Sequence, residues 1–112
     1  MGTDEAEQLL DDLVERFAAI DRDLRRAVLP ARRSLEVVFT DLGVSYHTLL
    51  EQGELRPVTQ GSLARPDVRL TANSDDLRAV ANRELPLGAA YADGRVKVEA
   101  SMLDLLRLRA LL

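Results

Sequence analysis

Apolar residues recur at helical spacing through the first quarter of the chain, at Leu9, Leu10, Leu13, Val14, Phe17, Ile20, Leu24 and Val28. The pattern predicts one long amphipathic helix. Thr3 is placed to cap it, Asp4, Glu5 and Glu7 suit the positive end of its dipole, and Pro30 stops it. The spacing then changes to alternation. Leu35, Val37 and Phe39 share one face of residues 34–40, Asp41-Leu42-Gly43 supplies a turn, and Val44, Tyr46, Thr48 and Leu50 alternate with Ser45, His47 and Glu51. These are the two strands of a hairpin. Gln52-Gly53 turns into a third strand over residues 54–60, which Pro57 marks as an edge or a bulge because it cannot donate to a ladder.

Turn chemistry at residues 61–66 leads to a fourth strand over residues 67–73, with Val68, Leu70 and Ala72 on one side. Ser74 is expected to cap a helix that begins with Asp75 and Asp76, presents Leu77, Val80 and Ala81 inward and runs to about Glu84. Pro86 opens a short helical piece that ends at Gly94. Val96 and Val98 then alternate with Arg95, Lys97 and Glu99 in a fifth strand, and Ser101 with Asp104 three positions on forms a cap for a last helix. The order α-β-β-β-β-α-α-β-α predicts an α+β fold. Its sheet is five-stranded and mostly antiparallel, with helices packed on one face.

The last helix carries more apolar surface than one buried side requires. Met102, Leu103, Leu105, Leu106, Leu108, Ala110 and Leu112 cover an arc wider than the roughly 100° stripe of a surface helix. Asp104 and Arg107 alone mark a wet side, and Arg109 falls inside the apolar arc. The surplus has several destinations: deep burial, a bound apolar ligand, a partner subunit or a membrane interface. Two arginines and no flanking aromatic argue against membrane anchoring.

Composition narrows the function classes. At 112 residues the chain is expected to form one domain, spanning 1–112, around a core that must be aliphatic, since Trp is absent and Phe17, Phe39, Tyr46 and Tyr91 are its aromatics. The formal net charge of −4 disfavours nucleic acid as a partner. With no cysteine there is no disulfide, thiolate nucleophile or cysteine metal site, which suits a reducing cytoplasm. The N-terminal run is acidic where a signal peptide would be basic and then apolar, and no apolar run is long enough for stable membrane insertion.

Candidate chemistry is sparse. His47 and Ser45 share a strand face, but a base and a nucleophile on one strand do not by themselves make hydrogen-bond geometry, so a solvated strand face explains them better. One histidine and scattered carboxylates do not assemble a zinc site. No glycine-rich phosphate loop is present. Arg22, Arg25, Arg26, Arg32 and Arg33 form a cluster suited to gripping a carboxylate or phosphate, though dipole complementation and solubility account for it more economically.

The second half resembles a known family. Residues 66–72 (PDVRLTA), the run 74–77 (SDDL), and residues 91–99 (YADGRVKVE) followed by a leucine-rich helix are similar, in this order, to the sterol carrier protein 2 (SCP-2) family. The resemblance covers about residues 34–112. Ala100-Ser101 departs from the Gly and acidic or polar pair usual in the family before the last helix. The resemblance implies an apolar tunnel between sheet and helices that takes up fatty acid, acyl-CoA or sterol-like lipid, with no universal catalytic residue and no cofactor. Lining residues expected on that basis are Val80, Leu85, Leu87 and Tyr91, then Met102, Leu105, Leu106 and Leu108, each of which also suits an ordinary core. Arg109, inside the apolar arc, either snorkels to solvent or serves as a charged anchor at the pocket mouth, and the anchor is the role expected. The leading expectation is a non-enzymatic, cytoplasmic lipid-binding module. Its alternative is an interaction or dimerisation module that uses the apolar last helix, with a homodimer left open.

Overall fold

The computed structural model describes residues 2–111, with the side chains of all of these except Leu108, Ala110 and Leu111. Five helices and six strands follow in the order α1 (Thr3–Ala18), α2 (Arg22–Val28), β1 (Arg32–Phe39), β2 (Val44–Glu51), β3 (Glu54–Leu55), β4 (Thr59–Gln60), β5 (Val68–Ala72), α3 (Ser74–Ala81), α4 (Leu87–Ala92), β6 (Val96–Glu99) and α5 (Met102–Leu111). The sheet runs β3-β2-β1-β5-β6, with β4 also on β2. Every pairing is antiparallel except β1 with β5.

The third expected strand is two short ones. Pro57, with no N–H to donate, interrupts it, so β3 pairs with Leu50 and Glu51 while β4 resumes opposite Tyr46 and His47. The β2–β3 connection is a two-residue hairpin with left-handed φ at both Gln52 (52°) and Gly53 (77°), the geometry that matches strand twist. A Cβ on Gly53 would come within 3.1 Å of the Arg26 side chain and 3.3 Å of its backbone nitrogen, so this turn lies directly against α2.

The first helix is likewise split. Apolar spacing continues from Phe17 to Val28, but Asp21 leaves the helical conformation (φ −50°, ψ 128°) and accepts the Leu24 N–H at 3.0 Å, starting α2 as a separate helix. Gly2, not Thr3, is the N-cap of α1, and no side chain bonds there. At α3 the cap is Asn73, whose side chain accepts the Asp76 N–H at 2.7 Å. Ser74 is instead buried as the first helical residue and gives its N–H and hydroxyl to Asp41. The Ser101 cap is as expected, with its hydroxyl oxygen accepting the Asp104 N–H at 3.1 Å.

The core lies between the sheet and α1, α3 and α4. Ala6, Leu9 and Leu10 of α1, Leu77 and Ala81 of α3 and Ala90 of α4 bury Phe39, Tyr46, Ala72 and Val96. Phe39 and Tyr46 meet edge to face with centroids 5.9 Å apart. On the other face, the 61–67 crossover from β4 to β5 passes over β1, where the Leu63 N–H and Arg69 both bond the carboxylate of Glu36.

Candidate functional site

The inner face of the sheet is covered unevenly. Where Phe39, Ala72 and Val96 lie side by side, all three are buried. In the next row, Tyr46 is buried but its neighbours Val37, Leu70 and Val98 are half-buried. One row further on, Thr48, Leu35 and Val68 are all half-buried, although they point to the same side. Burial returns at Leu50, beside Arg33. The middle of the helix-facing surface is thus a partly open aliphatic strip. α3 and α4 lie at one end of it and α2 with α5 at the other, while α1 reaches both, packing on α3 and on β3.

Polar contacts fix the second boundary. Arg33, on the inner face of β1, donates from Nε to Oδ2 of Asp104 at 2.8 Å and from Nη2 to Oδ1 at 3.3 Å. The Asp104 side chain is only 8% exposed. The Arg33 hydrogen bond holds its carboxyl below the usual carboxylate range, against the opposing effect of burial. α5 packs on α2, which is held in turn by Arg25. That guanidinium is buried, lies 5.3 Å from the Phe17 ring centre, and bonds the carbonyls of Ile20 and Gly53 and the Glu54 carboxylate. Two members of the arginine cluster are therefore structural pins.

The wet side of α5 is not where the sequence placed it. Asp104 faces the protein, because an arginine from β1 offers it a two-point partner, while Met102 (73%), Leu103 (56%) and Leu106 (55%) are exposed. Arg109, seven residues on from Met102 and so on nearly the same side, is exposed as well. Leu105 is half-buried, and the side chain of Leu108 lies outside the described residues. Of the expected lining residues on the middle helices, Val80, Leu85 and Leu87 pack against the buried cluster, whereas Tyr91 is exposed. Sequence reasoning missed the strand residues Leu35, Val37, Val68, Leu70 and Val98 as site candidates. Alternation gave their common face, but how far helices cover that face depends on tertiary packing.

Two small cavities lie elsewhere. One of about 150 Å³ sits beside Glu7, Asp11, Tyr46, Val58 and Gln60. There burial and the neighbouring Glu7 raise the Tyr46 hydroxyl above its ordinary pKa, and that hydroxyl donates to Glu7 at 3.3 Å. The other, about 270 Å³, is an open dish on the outer sheet face beside Ser34, His47, Leu49, Pro57 and Leu63. His47 places Nδ1 2.9 Å from the Gly61 carbonyl oxygen, which commits one ring nitrogen to the crossover loop. Among the described residues no cluster of three or more His, Cys, Asp or Glu is arranged to hold a metal ion. No described helix is long and apolar enough to cross a membrane.

No curated protein sequence matches the chain significantly. Among solved structures, SCP-2-like 2 from Aedes aegypti matches with a TM-score of 0.66 at 20% identity, covering 96% of this chain and 95% of that one. The palmitated form of the Aedes aegypti protein, determined in solution, matches with a TM-score of 0.66 at 21% identity over 94% of this chain and 91% of that one. The stereoselective inverting sec-alkylsulfatase Pisa1 from Pseudomonas sp. shares 28% identity over 82% of this chain but only 14% of its own, with a TM-score of 0.64. The family profile described as SCP-2 sterol transfer matches residues 10–112, and the chain belongs to that family.

Proposed function

We propose that residues 1–112 act as one lipid-binding unit that holds a fatty acid, acyl-CoA or sterol-like molecule along the inner face of the sheet without converting it chemically. The observation that carries this reading is the strip formed by Leu35, Val37, Val68, Leu70 and Val98, aliphatic, helix-facing and only half-buried. Apolar surface left in this state gains roughly 25 cal/mol for each Å² that a ligand removes from water. Family membership and the palmitated Aedes structure of the same fold support a lipid as occupant.

Val80, Leu85 and Leu87 would form the wall on the α3–α4 side and Leu105 the wall on the α5 side, while the exposed Tyr91, Met102 and Leu106 would reach a ligand only by turning inward around it. Arg109 would meet an anionic headgroup. The absence of cysteine fits a reducing compartment such as the cytoplasm. Native mass spectrometry of gently purified protein, followed by solvent extraction, tests the reading. A stoichiometric lipid, or saturable uptake of a fluorescent fatty acid by the stripped protein, is expected. Protein that is free of ligand and takes up neither acyl nor sterol probes contradicts it.

A further inference from the structure

The sheet ends at β6, and among the described residues no strand pairs with its outer edge. Outside the β5–β6 ladder, none of the described backbone hydrogen bonds involves residues 96–100. An unpaired edge is a template for another strand. Its two outer-face side chains are of opposite sign: Lys97 and Glu99, which contact each other at 2.9 Å. Arg69 also reaches Glu99, at 3.4 Å.

We propose that β6 pairs antiparallel with β6 of a second copy of this chain, about a twofold axis through Val98, to give one continuous sheet. Three observations select this occupant and register. In an antiparallel pair with the axis perpendicular to the sheet, opposed residues share a face, so the register moves in steps that keep Lys97 and Glu99 on one side. Centred on Val98, Lys97 of each copy stands opposite Glu99 of the other, twice over. Centred on Lys97 or on Glu99 instead, like charges meet on the axis, which disfavours those alignments. The lysine that protects the edge against indiscriminate pairing thus admits one register of self-pairing.

The third observation is the apolar surface at both ends of the edge. Tyr91, near the end of α4, precedes β6 and is 53% exposed; Met102 and Leu103 follow it after Ala100 and Ser101 and are exposed too. Antiparallel pairing brings the start of α5 of one copy beside the α4–β6 turn of the other. Exposed apolar groups that have no partner in the monomer thereby meet across the axis, in a closed twofold interface.

Sedimentation equilibrium with charge-exchange variants tests this independently of lipid binding. The natural chain is expected to dimerise reversibly. Lys97→Glu and Glu99→Lys, each folded by circular dichroism, are each expected to weaken self-association by about tenfold or more, because each homodimer now opposes like charges. An equimolar mixture of the two is expected to recover dimer, since the doubly acidic edge of the first variant then faces the doubly basic edge of the second across the axis. Should a variant fail to fold, hydrogen exchange on the natural chain decides: the residue 97–99 amides must gain protection as protein concentration rises. A natural chain that stays monomeric to about 1 mM, single variants that dimerise as well as it does, or a mixture that fails to recover, would overturn the proposal.

Discussion

Arg33 of β1 and Asp104 of α5, 71 positions apart in sequence, form a two-point ion pair that turns the polar side of the last helix toward the sheet and its leucines outward. A carboxylate only 8% exposed is stable there because both its oxygens accept from the same guanidinium. Replacing Asp104 with Asn removes the charge and one of the two oxygens that accept from Arg33. Asp104→Asn is expected to destabilise the fold by about 1–3 kcal/mol and to raise amide exchange in α5 well above that in α1. Equal exchange in the two helices would show that the pair does not hold α5.

The same pair gives a pH dependence. Asp104 is held below its ordinary pKa chiefly by Arg33. For Glu36, burial acts upward, but Arg69, the Leu63 N–H and Ser62 together outweigh it, and the net shift is downward. Asp41 is lowered mainly by the Ser74 hydroxyl. A carboxyl depressed in the folded state contributes its full stability above its unfolded pKa, near 4, and loses that contribution as pH falls through the folded value. Melting temperature should therefore be flat above about pH 5 and fall below about pH 4. Asp104→Asn should show a shallower acid loss than the natural chain; identical slopes would remove Asp104 from the account.

Glu36 is 2% exposed on the face of the sheet away from the helices, tied to Arg69 at 2.5 Å and to the Leu63 N–H at 3.0 Å. It fastens the 61–67 crossover to β1. Glu36→Ala leaves the Leu63 N–H without its acceptor, while Arg69 keeps the Leu63 carbonyl and Glu99, and is expected to cost about 1–3 kcal/mol, read as a lowered urea midpoint. A loss under about 1 kcal/mol would mean that water replaces the carboxylate freely.

Leu35 lies in the half-buried row of the inner face, beside Val68. An indole there would occupy the strip without displacing Phe39, Tyr46 or Ala72 from the core. Leu35→Trp is expected to lower fatty-acid affinity by about tenfold or more while leaving the melting temperature within a few degrees. Unchanged affinity would place the ligand elsewhere.

Much of the architecture was legible in the sequence, because alternation and 3.6-residue spacing report which side of an element is dry. Both long strands, the β5 and β6 faces, the Gly94 stop and the Ser101 cap follow from local chemistry. What escaped depends on distant partners. The break at Asp21 hides inside a continuous apolar period and shows only as an acidic residue with capping geometry. The fate of Asp104 depends on Arg33, which no local pattern connects to it. The family resemblance supplied a pocket and helix residues to line it, but the strand side of the strip became visible only once its rows could be compared for burial.

Photoaffinity mapping decides whether the lipid lies along the inner face of the sheet. A fatty acid carrying a diazirine on its chain, irradiated with the stripped protein and mapped by tandem mass spectrometry, should label residues of the inner strip, at Leu35, Val37, Val68, Leu70 or Val98, together with α5. Labelling confined to the outer dish around His47, Leu49 and Leu63, or none above that of a non-lipid diazirine control, would contradict it.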